Sequence, residues 1–138
     1  MASEMFNKLA EGKHEAVSAG TTVIDLERGL NREGKKIKDT ESASHVVQVM
    51  DELGIDILNN PRHQVPEQDL EQVDIVVVMT EPETTPEFLK KQTTIYWSVK
   101  DPYQQTPEET RKIRDQIAGL VTELYNTIEG EKHLTHIK

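Results

Sequence analysis

No cysteine occurs anywhere in the 138 residues. That absence excludes a disulfide framework, a thiolate zinc site and an iron–sulfur cluster. It also excludes nucleophilic cysteine chemistry by these residues. Aromatic side chains are scarce, at 4%, so a core must come mostly from Val, Ile, Leu and Met. Positive charge is in deficit: 16 Lys and Arg stand against 25 Asp and Glu, a net charge of −9. Nucleic acid and anionic membranes both demand a basic face, so neither is an expected partner. No apolar run approaches the roughly 20 residues of a spanning helix. Met1-Ala2-Ser3-Glu4 lacks a basic region followed by an apolar one, so it does not read as a signal peptide, and the cytoplasm is the expected location. Neither an internal repeat nor a Gly-rich phosphate motif is present.

What is present suits one α/β domain, residues 1–130, with a polar tail over 131–138. Ala2, Met5, Phe6 and Leu9 predict a helix over 2–11 with an apolar stripe, stopped by Gly12. Glu15–Ala19 reads as a short strand closed by Gly20, and Glu27–Thr40 as a polar surface loop. Caps at Thr40-Glu41-Ser42 introduce a second helix, with Ala43, Val46, Val47, Met50 and Leu53 facing inward and Gly54 ending it. Ile75–Met79 is a continuous β-branched run, as expected of a parallel strand covered on both faces. Thr94–Val99 is a second strand, and Pro86–Lys91 has room for one or two helical turns. The longest helix runs from Pro107 to Ile128, with Glu108 and Glu109 in its first turn and Ile113, Ile117, Leu120, Val121, Leu124 and Ile128 on one stripe. Gly130 is the expected stop.

Ligands of such folds bind at the carboxyl ends of the strands. Attention therefore falls on Ser18–Thr22, Thr80–Thr85 and Lys100–Gln104. Ser18 ends a strand among small residues, where a ligand can approach closely, or where an ordinary turn suffices. Asp101 follows a strand and precedes the long helix, a place suited to a general acid; Asp-Pro also simply starts turns. His133 and His136 sit three apart, but no carboxylate cluster beyond Glu129 and Glu131 accompanies them, so no metal site and no cofactor are expected. Arg32, Lys35, Lys36 and Lys38 form a basic run that reads as a solvated loop, with contact to an acidic partner as the other reading.

Several segments in order resemble the low-molecular-weight protein tyrosine phosphatases and the thioredoxin-linked arsenate reductases that share their fold. Met1-Ala2 with Glu4-Met5-Phe6 is similar to the helix after that family's phosphate loop. Val17–Thr21 is similar to its second strand and turn. Leu53-Gly54-Ile55-Asp56-Ile57 resembles the exit of its middle helix, and Asp69–Asp74 leading into Ile75–Met79 its third strand. Tyr96-Trp97, Asp101-Pro102-Tyr103 and Thr106-Pro107-Glu108-Glu109 resemble its acid loop and last helix. The resemblance spans Met1 to about Ile128.

That resemblance implies a three-layer α/β fold with a parallel sheet, and phosphotyrosine hydrolysis through a phosphocysteine intermediate. Asp101 then takes the place of the acid that protonates the leaving phenol, and Tyr103 that of a substrate-pocket wall, with Ser18 nearby at a strand end. Gln104 and Gln105 replace the family's second aromatic and glycine. The family opens with an inner strand and a Cys-x5-Arg loop, for which this chain has no counterpart, so it is expected to be N-terminally incomplete and inactive alone. The alternatives are a non-catalytic binding or regulatory relative, an arsenate reductase-related fragment, and an enzyme completed by another chain. Loss of the inner strand, in strand order 2-1-3-4, predicts a gap between Glu15–Ala19 and Ile75–Met79. Closure of the flanking strands, insertion of the tail through Leu134 and Ile137, or a strand from another chain (a homo-oligomer included) would each repair it. A phosphoprotein is the other expected partner.

Overall fold

The computed structural model describes the chain apart from residues 21, 22, 26–28, 38–43, 67–72, 80, 81, 91–93, 103, 104 and 138, and gives backbone alone for 25, 82 and 131–137. In order the elements are α1 (Ala2–Ala10), β1 (Ile24–Asp25), β2 (Leu30–Asn31), α2 (Ser44–Asp51), β3 (Val77–Val78), β4 (Ile95–Tyr96) and α3 (Pro107–Ile137). Single 3-10 turns at Pro82–Thr84 and Glu87–Leu89 lie between β3 and β4. The second of these falls within the stretch where a helical turn is expected from sequence.

The core is a three-helix contact. Met5, Phe6 and Ala10 of α1, Met50 of α2 and Ile113, Ile117 and Val121 of α3 form one buried cluster, joined by Ile57. The four-residue spacing of Ile113, Ile117 and Val121, and of Phe6 and Ala10, keeps those residues on one face of their helices. Glu108 and Glu109 favour the positive end of the α3 dipole, and the Thr106 hydroxyl accepts a hydrogen bond from Glu109 N–H at 3.1 Å. α1 ends where Glu11 turns left-handed (φ 48°) and Gly12 follows at φ 85°. The Glu11 N–H caps Asn7 and the Lys13 N–H caps Ala10. The stop needs two consecutive residues of positive φ, and only the second is a glycine.

The sheet is smaller than the sequence suggests. β3 and β4 pair in parallel, Val77 opposite Ile95 and Val78 opposite Tyr96. The expected strand Ile75–Met79 thus narrows to two paired residues, and Thr94–Val99 likewise. Glu15–Ala19 joins no strand; pairing begins only at Gly20, which bridges Gln64 in parallel. A strand needs a partner along its whole length to register as one, and among the described residues no bridge joins these segments to each other. The expected loop 27–40 contains β2, which pairs antiparallel with β1 as a short hairpin.

Other sequence expectations shift with the packing. Leu9 and Leu53 are exposed rather than inward-facing, while Val49, absent from the expected stripe of α2, is fully buried. The described part of α2 begins at Ser44, and its expected caps at 40–42 lie outside the described residues. α3 passes through Gly130 to Ile137, so that glycine does not stop it. Gly costs a helix only about 1 kcal/mol relative to Ala, which a long helix tolerates.

Met50 is wholly buried where the three helices meet. Met50→Ala is expected to destabilise the fold by roughly 2–5 kcal/mol, measured by urea denaturation with an unchanged m-value.

Candidate functional site

Two regions carry the candidate chemistry: the loop between β4 and α3, and a groove beside β3.

The loop is held from below. His45 on α2 directs Nδ1 to the Gln105 carbonyl at 2.8 Å. A carbonyl only accepts, so that nitrogen carries the proton. Gln105 N–H bonds Pro102 O at 3.2 Å, and Thr110 returns both its N–H and its hydroxyl to Thr106 O at 2.9 and 2.8 Å. On the strand side, Gln116 donates its amide to Ser98 O at 3.1 Å. These bonds fix both ends of the segment that carries Asp101, which is itself exposed to solvent. Tyr103 lies outside the described residues.

Beneath the loop, α3 is clamped to the end of α2. Glu52 accepts three contacts from Arg111, two from Nε at 3.0 Å and one from Nη2 at 2.7 Å, and one from Arg114 at 2.7 Å. Arg114 also donates to Val49 O at 2.9 Å and to Asp115 at 3.0 Å. Hydrogen bonds from Arg111, then Arg114, hold the Glu52 carboxyl down at about 2. A planar guanidinium meeting a carboxylate with two nitrogens fixes orientation as well as distance.

The groove has a volume of about 850 Å³. One bank is Lys13–Ser18, the other Val73–Asp74, Ile75, Val77 and Met79; its floor includes Phe6, Trp97, Val121 and Leu124. The first bank is pinned at two points. The Asn7 side chain accepts from Ala16 N–H at 2.7 Å and donates to Ala16 O at 2.9 Å. His14 Nε2 meets Glu129 Oε1 on α3 at 2.6 Å, and its ring packs on Tyr125 with centroids 6.2 Å apart. A single side-chain amide therefore does for Ala16 what a neighbouring strand does elsewhere.

Ser18 sits in this groove, exposed at the end of its first bank. Asp101 is not among the residues lining it. Sequence reasoning missed Asn7, His14, His45 and the Glu52 fork, because each acts across a separation no local pattern records. The His14–Glu129 hydrogen bond spans 115 positions, and Asn7 on an exposed helical face reads as solvated. Among the described residues no group of three or more metal-ligating side chains occurs, and the side chains of His133 and His136 lie outside them. Among those same residues no helix is long and apolar enough to cross a membrane. Of the basic run, Lys35 and Lys36 are exposed, as a solvated loop requires. Arg32 lies close enough to lower Arg62, whose guanidinium burial lowers first.

Glu52 supplies a pH signature. Its folded carboxyl lies near 2 against an ordinary 4.5, so the stabilisation it brings is complete above about 4.5 and fades as the pH falls toward 2. The melting-temperature difference between wild type and Glu52→Gln is expected to be largest near neutrality and to shrink between pH 4.5 and 2.

Comparison with known proteins gives a consistent picture. The family described as low molecular weight phosphotyrosine protein phosphatase matches residues 1–134. Wzb of Vibrio vulnificus, solved in complex with benzylphosphonate, aligns with a TM-score of 0.70 at 19% identity, over 91% of this chain and 87% of that one. A low molecular weight protein tyrosine phosphatase of T. tengcongensis aligns at 0.62 and 24% identity, over 91% and 88%. An arsenate reductase in its reduced state aligns at 0.65 and 21%, over 92% and 86%. No curated protein sequence matches the chain.

Proposed function

Since the chain belongs to the low molecular weight phosphotyrosine protein phosphatase family, we propose that it is a member which does not hydrolyse phosphotyrosine unaided. The observation that carries this reading is the complete absence of cysteine from its 138 residues. A phosphocysteine route needs a thiolate to form the S–P bond while the P–O bond to the phenol breaks. Asp101 would then supply the proton to the departing oxygen. A general acid acting alone lowers only the leaving-group half of the barrier.

Asp101 keeps a defined place even so. The loop around it is tied to α2 by His45 and to α3 by Thr110, which supports a role as the acid whenever a nucleophile is supplied beside it. Ser18 and Tyr103 are proposed as pocket residues for the aryl phosphate. The Asp-Pro-Tyr sequence favours phosphotyrosine over arsenate as the ligand of the lineage. A non-catalytic binding or regulatory relative, with a phosphoprotein partner, is the other form of the same proposal: in both, the scaffold persists and turnover is lost.

Purified protein is expected to leave p-nitrophenyl phosphate at the rate of the buffer blank, and to reduce no arsenate with thioredoxin present. Turnover that survives purification and disappears in Asp101→Asn would overturn the reading, because it would require a nucleophile other than cysteine.

A further inference from the structure

Residues 32–37 and 60–64 run past each other as an irregular antiparallel ladder. Arg62 N–H donates to Lys35 O at 2.9 Å and Ile37 N–H to Asn60 O at 3.0 Å, on either side of the Lys36–Pro61 bridge. Gly34 N–H then donates to Arg62 O at 2.7 Å, so Gly34 and Lys35 together stand opposite Arg62. That is a β-bulge with its glycine at φ 78°. Lys35 N–H closes a turn on Arg32 O at 3.0 Å. Bulge and turn gather Arg32, Lys35 and Arg62, and Arg32 comes close enough for its charge to lower the Arg62 pKa.

Such a gathering of cations is out of keeping with a net charge of −9. Arg62 is partly buried, and its Nε is closed off from solvent with no hydrogen-bond partner among the described residues. Its two outer nitrogens are not enclosed. Two acids bond into this ladder among the described residues, and both are engaged away from Arg62. Glu33 turns Oε1 to His63 Nδ1 at 2.9 Å and Oε2 to the Gln64 N–H at 2.6 Å. Glu4 takes the Asn60 amide at 3.0 Å and the Met1 ammonium at 3.1 Å. A buried charged donor without an acceptor costs stability, and a like charge beside it adds to the cost.

We infer that Arg62, with Arg32 beside it, holds a phosphate-type oxyanion, either free phosphate or a phosphorylated side chain. The outer end of a guanidinium is a planar fork whose two N–H groups match two oxygens of such a group. Two adjoining guanidinium charges match a dianion, whereas a carboxylate neutralises only one of them. Lys35 and Lys36, both exposed, add positive potential at the rim. Distant acids are screened beyond about 8 Å at physiological salt, so the local cations decide. The site shares no residue with the groove or with the loop of Asp101. The inference does not rest on the loss of turnover, so anion binding and phosphate hydrolysis are read separately.

The enclosed Nε–H of Arg62 exchanges slowly with water, so its proton resonance in the nitrogen-15-labelled protein reports occupancy. The probe is sodium phosphate at pH 7, against sodium chloride of equal ionic strength. The expected result is a saturable shift of that resonance with phosphate and none with chloride. Arg62→Gln is expected to weaken phosphate binding by about tenfold or more, and Arg62→Lys, which keeps the charge without the fork, by about threefold or more. The surface control Lys112→Gln on α3 is expected to change it by less than about twofold. Should Arg62→Gln lose its folded amide dispersion, Arg62→Lys and the wild-type titration decide. A phosphoserine flanked by two glycines on each side, blocked at both ends, separates the sources. Tighter binding than phosphate assigns the site to a phosphorylated side chain, and equal or weaker binding to the free ion; both support the site. Silence toward both probes overturns the inference. So does an equal response to acetate, which makes the site a single positive charge without selectivity for a dianion. Undiminished phosphate affinity in a folded Arg62→Gln also overturns it, because the anion then binds elsewhere.

Discussion

Everything in this molecule is hung on the apolar stripe of α3. Ile113, Ile117 and Val121 lie almost wholly buried, and α1 and α2 reach the core by packing against them. The strands contribute little by comparison: among the described residues β3 pairs with β4, and β1 with β2, over two residues each. Helices close their own hydrogen bonds, so they keep their shape when a neighbour is missing; strands do not. That difference fits the described residues, in which the helices are long and the strand pairs short. It also explains why the fold aligns with its structural relatives over most of its length despite so little strand.

The helices were legible in the sequence because their signal is periodic and local. α1 ends one residue short of expectation, and the start of α3 at Pro107 coincides with it. Strand extent was not legible. The β-branched run from Ile75 to Met79 records a preference for extended backbone, but pairing depends on residues far away in the chain. The end of α3 was misread for the opposite reason: a glycine carries a strong local signal that a long helix overrides. Burial details such as Val49 against Leu53 turned on the direction from which α3 approaches α2, which no α2 residue encodes.

Of the candidate site, Asp101 and Ser18 could be picked out by type and position, and the groove could be anticipated only through a family resemblance. The two residues belong to different surroundings. Ser18 belongs to the groove, on a bank fastened by Asn7 and His14. Asp101 belongs to a loop fastened through α2 and α3, above the Glu52 fork. The loop of Asp101 is thus braced by the part of the molecule that is best packed, and the strand-end region by the part that is least paired. Chemistry that needs both depends on bringing the looser side into register with the firmer one.

Among the described residues the edge of β3 away from β4 makes no backbone hydrogen bond, which has a colloidal consequence. An open row of peptide groups beside exposed Val17 and Met79 is an adhesive surface, and most proteins blunt such an edge with lysine, proline or a bulge. None of Ile75, Val77 or Met79 does so. What opposes sticking is a surplus of nine negative charges spread over a small body, a long-range guard in place of a local one. Its reach is about a Debye length, ~8 Å at physiological salt and ~3 Å at 1 M. The shelf life of the protein is therefore tied to ionic strength and to acid: concentrated salt or a pH near its isoelectric point of about 5.0 removes the guard while leaving the adhesive in place.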